Sequence, residues 1–274
     1  MKYFIYLAVI SCSFFWVGQY VYAQSDANLN PDSDKPLEIV ADEALEWHRN
    51  DLYFKAKKNV VAEQGSTTLK ADLLTALYRN GEGGGIDIYR IQVDGHVKII
   101  AQQNTAYGDN AVYDLDKGYA VLTGKNLRLL SEEQTVTARD KFQYWVTEGR
   151  LEAHGDAVAV RLGDKIEADK MIAVFTQNKS GKRVLKTLEA IGDVVITTPS
   201  EVLTGNRAMY RAESDQAELV ENVTIRRGPN ILQGSHAKVN LKTNVSKLFG
   251  GSASGEEGGR VRGVFYPGSE EEEK

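Results

Sequence analysis

The feature that most limits what this chain can fold into is a long internal repeat. The stretch "KADLLTALYR" from Lys70 and the stretch "EADKMIAVFT" from Glu167 share an Ala-Asp start and a matching apolar pattern, and their aspartates, Asp72 and Asp169, stand 97 positions apart. Slid by 97, the chain goes on matching without a gap. Val61-Ala62 falls on Val158-Ala159, Gly95-His96-Val97-Lys98-Ile99 on Gly192-Asp193-Val194-Val195-Ile196, "GDNAVY" at Gly108 on "GNRAMY" at Gly205, and Leu122 on Leu219. A finer spacing lies inside each half: Ala/Gly-Asp-like starts recur at 41, 71, 108, 138, 168, 205 and 234, and "KNV", "GHV", "GDA", "GDV" and "ENV" at 58, 95, 155, 192 and 221. Steps of 29 to 37 residues describe a repeat architecture or a regular array of hairpins.

The units of that array are strands. "VKIIA", "YAVLTG", "KTLEAI", "GDVVITT" and "NVTIRR" are short, rich in Val, Ile, Thr and Tyr, and bounded by Gly, Asn or Asp. The Gly-His, Gly-Asp and Gly-Asn pairs supply the positive φ of tight hairpin turns. "ADEALEWHRND" and "ADLLTALYRN" could pass for helical turns, but "ARDKFQYWVTEGR" and "AKVNLKTNVSK" at equivalent repeat positions could not, so all four read as strands. Positions that stay apolar in both halves mark the buried face: Leu69 and Ala71 with Ile166 and Ala168, Val97 and Ile99 with Val194 and Ile196, Ala111 and Tyr113 with Ala208 and Tyr210. Each set has the period of two that puts side chains on one side of a strand. By themselves these sets read first as an ordinary filled core.

The chain opens with Lys2, an apolar run from Tyr3 to about Val17, and "VYAQS", which reads as a secretory signal cut between Ala23 and Gln24. A retained anchor fits less well, because Ser11, Ser13 and Gln19 interrupt the run and a spanning helix needs ~20 apolar residues. A lipoprotein box at Cys12 would leave "SFFWVGQYVYA" on the product. Cleavage removes the only cysteine, Cys12, and with it any disulfide, thiolate metal site or cysteine nucleophile. The expected layout is 1–23 signal, 24–36 linker, 37–134 first repeat half, 135–250 second half, 251–259 flexible loop, 260–267 terminal strand and 268–274 acidic tail. Acidic residues outnumber basic ones 38 to 33, so nothing recruits nucleic acid, and the "EEEEK" run reads as a solvated face that limits non-productive stacking.

Catalytic chemistry is hard to find. His48, His96, His154 and His236 show no metal-ligand spacing, and three of them fall at expected turns. There is no G-x-S-x-G elbow, and "GEGGG" at Gly81 lacks the Lys-Ser/Thr of a phosphate loop. Asp72 and Asp169 could suggest a two-carboxylate hydrolase, but they are equivalent positions of a repeat, and a structural role at a turn suits them better. No enzyme activity, metal or cofactor is expected.

Taken in order, "KPLEIVADEALEW", "NVVAEQGSTTLKADLLTALY" and "GHVKIIAQQNTAYGDNAVYDLDKGYAVLTG" resemble the OstA/LptA-like periplasmic family of lipopolysaccharide transport, and "GRVRGVFYP" resembles its closing segment. The resemblance covers roughly residues 35 to 267 and departs in its 97-residue duplication and acidic tail. It implies an all-β, antiparallel jelly roll, elongated and open at both ends. It implies a periplasmic bridge carrying lipopolysaccharide, held by its lipid A moiety, from an inner-membrane component at the amino-terminal end to an outer-membrane translocon at the carboxy-terminal end, with end-to-end self-association. On that reading Leu37, Ile39, Leu69, Val97, Ile99, Tyr113, Leu122, Ile166, Val194, Ile196, Tyr210 and Leu219 face the lipid, and Leu37, Ile39, Val261, Val264 and Phe265 form the joints. A β-solenoid enzyme acting on polysaccharide and an adhesive repeat protein remain open; the first needs clustered carboxylates on one face, the second a filled core.

Overall fold

The structure is a computed structural model that describes residues 35–179, 183–240, 243, 245–251 and 259–267. The signal with its Ala23/Gln24 site, most of the linker, the centre of the 251–259 loop and the acidic tail lie outside the described residues.

The chain forms two compact units. The first comprises Ser25–Gly155 with Phe175–Val184. Its strands are β1 (Glu38–Val40), β2 (Ala44–His48), β3 (Tyr53–Gln64), β4 (Thr67–Asn80), β5 (Ile86–Ala101), β6 (Asn104–Asp114), β7 (Tyr119–Thr123), β8 (Leu127–Leu130), β9 (Gln134–Ala138), β10 (Lys141–Trp145) and the opening of β11 (Arg150–Arg161). Both β1 and β2 pair with β3, which pairs in turn with β4, β4 with β5 and β5 with β6. Beyond β6 the ladder forks: one branch runs through β7, β10 and β11, the other through β8 to β9. The second unit comprises Asp156–Val174 with Leu185–Lys274. It holds the rest of β11, most of β12 (Asp164–Gln177) and β13 (Arg183–Thr197), and β14 (Val202–Arg211), β15 (Gln216–Arg227), β16 (Asn230–Asn240), β17 (Val245–Phe249) and β18 (Arg262–Val264). There β13 to β16 form an antiparallel meander, and β17 and β18 share the far side of β16. All of these pairings are antiparallel, so the all-β, antiparallel expectation holds; the only helical element among the described residues is a 3-10 turn, Glu82–Gly84.

The finer repeat has a different cause from the one expected. The Gly-His and Gly-Asp pairs of the repeat, Gly95-His96, Gly155-Asp156 and Gly192-Asp193, do not close hairpins; they lie within long strands. Tight connections instead carry Gly65, Gly118, Gly149, Gly163 and Gly228 at positive φ. Between Asp94↔Asn110 and Val97↔Gly108, two residues of β5 (Gly95, His96) oppose one of β6 (Asp109), which is a β-bulge. Lys58-Asn59 oppose Asp72 in the same way, Gly192-Asp193 oppose Asn206, and Glu221-Asn222 oppose Ser235. Both residues of each pair are left-handed, at φ 67 and 47, 79 and 47, 80 and 42, 61 and 56; Gly155-Asp156 make a fifth such pair at 79 and 43. Left-handed backbone disfavours most L-residues but suits Gly, Asn, Asp and His, and those types fill eight of the ten positions. The residue after each pair turns inward and is almost completely buried: Val60 1%, Val97 1%, Ala157 0%, Val194 1% and Val223 1% exposed.

The aspartates of the other repeat motif complete these corners. A Cβ on Gly95 would stand 2.2 Å from Asp72 Oδ2, and one on Gly192 2.1 Å from Asp169 Oδ2, so in both halves the carboxylate packs where only a glycine leaves room. The alanines beside them, Ala71, Ala138 and Ala168, are buried where the strand bends. Local φ demand and the tight approach of neighbouring strands therefore produce the 29–37-residue rhythm of the sequence.

Candidate functional site

Cross-strand partners share a face, so the registers show what each face of a ladder presents. In the first unit one row runs Ile39, Ala62, Leu69, Ile99, Ala106, Leu129 and Val136 across seven strands without a polar residue. On the other side of the bulges a second row runs Leu45, Ala56, Leu74, Val93, Ala111, Leu122, Phe142 and Ala153. A third, more aromatic row holds Trp47, Phe54, Ala76, Ile91, Tyr113, Ala120, Tyr144 and Leu151. The bulges keep these rows on one face, because the inward parity resumes after each corner. The opposite face is polar, as in the row Glu46, Lys55, Thr75, Gln92, Val112, Val121, Gln143 and Glu152.

The second unit repeats the arrangement. Ile196, Leu203, Ile225 and Leu232 make one apolar row, and Ala190, Ala208, Leu219, Ala237 and Leu248 another. Tyr210 stands in the next row beside Leu188 and Ala217. Burial raises the pKa of the Tyr113 phenol, and burial with the 3.0 Å hydrogen bond to Asp215 raises that of Tyr210, so both stay protonated.

Of the residues expected to face lipid, Val97, Leu122, Val194, Tyr210 and Leu219 are buried, and Leu37, Ile39, Leu69, Ile99, Tyr113, Ile166 and Ile196 are half-buried. Leu37 precedes β1, so it holds no ladder position. Of the expected joint residues, Val261 and Phe265 are 46% and 68% exposed, while Leu37, Ile39 and Val264 are half-buried. The structure adds exposed apolar residues that the period-two reading passed over: Val40, Leu45 and Trp47 on β1 and β2, and Val245 and Phe249 on β17. Their signal was available, since each lies on the first or last strands of the ladder, where one side lacks a neighbour.

The histidines match the expected solvated turn residues only in part: His96 is exposed, whereas His236 is buried. His96 sits in the β5 bulge and bonds Asp72 at 2.7 Å; His154 lies within β11 against Glu152 at 2.8 Å; His236 is buried within β16 and stacks on Phe249; His48 closes β2 and contacts Glu46 at 2.9 Å. His48, His96 and His154 make carboxylate pairs, and among the described residues no three such groups meet to hold a metal ion. No described helix is long and apolar enough to cross a membrane.

The family model described as LptA/(LptD N-terminal domain) LPS transport protein matches this chain twice, over residues 38–140 and 135–245. The chain belongs to this family and has a role in lipopolysaccharide transport. The two matches are the duplication seen as two family domains. An uncharacterised protein of Rhizobium meliloti (strain 1021) is 31% identical over 140 residues, which are 49% of this chain and 74% of the relative. LptH, the LptA-homologous periplasmic component of the lipopolysaccharide transport device of Pseudomonas aeruginosa, aligns over 86% of this chain and 99% of its own at 12% identity, with a TM-score of 0.22. An overlap that loose transfers no residues.

Proposed function

We propose that this protein is a periplasmic, non-enzymatic lipid-binding bridge that shields lipopolysaccharide acyl chains on their way from the inner to the outer membrane. The observation that carries the proposal is the apolar face itself: unbroken cross-strand rows in both units, backed by membership of a lipopolysaccharide transport family. One buried CH₂ is worth about 0.8 kcal/mol, so moving a long acyl chain through water unshielded costs roughly 10 kcal/mol. Rows that repeat bind a chain about equally well at every step, whereas a single deep site would trap it. Assembly is end to end. β1 and β2 share one side of β3, and β17 and β18 share one side of β16, each pair with exposed apolar residues. Two unlike edges make a heterologous joint that extends instead of closing. The amino-terminal edge meets the inner-membrane partner or another copy, the carboxy-terminal edge the outer-membrane partner.

Photo-crosslinking amino acids at Ile99, Leu122 and Tyr210 are expected to capture lipopolysaccharide in cells, and those at Gln92 and Thr224, on the polar face, are not. Equal capture from both faces, or none from the apolar one, removes the lipid reading. Deleting residues 260–274 is expected to leave a folded, lipid-binding protein that no longer self-associates in light scattering.

A further inference from the structure

On the polar face of the first unit, the row Val40, Val61, Lys70, Lys98, Tyr107, Arg128 and Thr137 runs inward from the edge strand β1. Lys70 and Lys98 are directly opposed, an arrangement that like charges disfavour. Lys98 Nζ lies 5.5 Å and the Arg128 guanidinium 4.3 Å from the centre of the Tyr107 ring, and Lys125 lines the same groove of about 840 Å³. The other ionisable groups of the groove are accounted for: Asp109 accepts from the Lys125 backbone N–H at 2.8 Å, and His96 is paired with Asp72. The side chains of Lys70, Lys98, Lys125 and Arg128 have no carboxylate partner among the described residues. Lys98 and Arg128 at the Tyr107 ring, Lys125 in the same groove and Lys70 opposite Lys98 gather positive charge that suits an anion, on a chain of net charge −5.

The face excludes one occupant. A lipid whose acyl chains lie against the apolar rows has the sheet between them and the ladder positions of Lys98, Tyr107 and Arg128, although the buried Val97, Leu127 and Ala138 also border the groove. The sequence supplies another: Glu270–Glu273, four consecutive carboxylates a few residues beyond the exposed β18. We infer that the groove receives the Glu270–Glu273 segment of a second copy, as a charged clasp across the end-to-end joint; the inference rests on that mode of assembly. The lengths agree. If β18 of one copy is added beside β1 of the next, Lys98 on β5 lies four strand spacings from β18, roughly 19 Å. The six residues from Val264 to Glu270 span up to roughly 20 Å when extended, and the remaining glutamates reach further.

The test uses the full chain in sedimentation velocity, with fluorescence anisotropy of a labelled peptide of residues 266–274. Replacing all four glutamates by Gln is expected to weaken self-association by roughly tenfold, since exposed pairs are individually weak and add up only as a set. The double variant Lys98→Glu/Arg128→Glu is expected to lose the same association and the peptide, while each variant keeps the wild-type circular dichroism. Joining Lys98→Glu/Arg128→Glu to Glu270–Glu273→Lys restores association. Salt screens all of these effects. If deletion of 260–274 abolishes assembly but glutamate neutralisation does not, the clasp is wrong and the joint stands; if neither matters, the joint itself is wrong. Loss of binding to lipopolysaccharide or to anionic vesicles in the Lys98→Glu/Arg128→Glu variant, with assembly intact, reassigns the groove to a lipid head group and overturns the clasp.

Discussion

The two halves of the molecule keep the same corners and write different outer faces. Val97 and Val194 are both 1% exposed, each follows a left-handed pair, and each corner packs a glycine against an aspartate of the preceding strand. Gly108 against Leu122 and Gly205 against Leu219 are a further matched pair, with no room for a Cβ at either glycine. By the repeat, the polar row of the first unit, Lys70, Lys98, Tyr107 and Arg128, falls on Glu167, Val195, Thr204 and Thr224, where the one charge is acidic and is paired with Lys165 at 2.9 Å. What the sheet needs is retained, and what differs is not needed by the sheet. The basic row is therefore not required by the sheet and is carried by one half.

The comparison breaks most visibly if the two buried valines are not equivalent. Val97→Asp and Val194→Asp each place a carboxylate where no water reaches, at several kcal/mol. Each is expected to unfold its unit at room temperature in urea titrations followed by circular dichroism. A folded, near-native Val194→Asp protein would show that only the first half depends on its corners. A smaller loss, about 2 kcal/mol each, is expected from Gly95→Ala and Gly192→Ala, which add left-handed strain to a collision with the facing aspartate. Asp72→Ala is expected to recover part of the loss at Gly95 and none of that at Gly192; urea midpoints of the double variants decide it. Equal rescue of both would mean that the corners are coupled.

How far the sequence reveals this architecture depends on how local the cause is. Strand character, the duplication and the apolar side were legible because each leaves a period, of two or of 97, in the order of residues. The bulges were misplaced as hairpins because a left-handed pair such as Gly95-His96 makes the same local demand in either setting; only the partner strand's register distinguishes them. The same holds for the basic row. Lys70, Lys98 and Arg128 lie far apart in sequence and become neighbours only through the registers of β4, β5, β6 and β8. The match by 97 also slips at one corner. Gly124, Lys125 and Asn126 separate β7 from β8, where Glu221 and Asn222 lie within the continuous β15, so buried Leu127 corresponds to Val223, a spacing of 96.

The smallest expected effect separates the halves by pH. In the first half the Asp72 carboxylate, hydrogen-bonded to His96, raises the imidazole pKa above its ordinary 6.5. Asp193 replaces that histidine in the second half, so the equivalent corner has no such pair. The second half instead has His236, whose pKa is lowered by burial and by nearby Lys238. The two act in opposite directions. The His96 contribution to stability is fully present below pH 6.5 and is lost as pH rises through its raised folded-state value. That of His236 is present above 6.5 and is lost as pH falls through its lowered value. Imidazole proton shifts followed by NMR from pH 5 to 9 are expected to show His96 titrating above 6.5 and His236 below it. Asp72→Asn is expected to bring His96 back toward 6.5 and leave His236 unmoved. A His96 titration that ignores Asp72→Asn would mean that the corner is held by its backbone and its glycine alone, as its counterpart at Gly192 is.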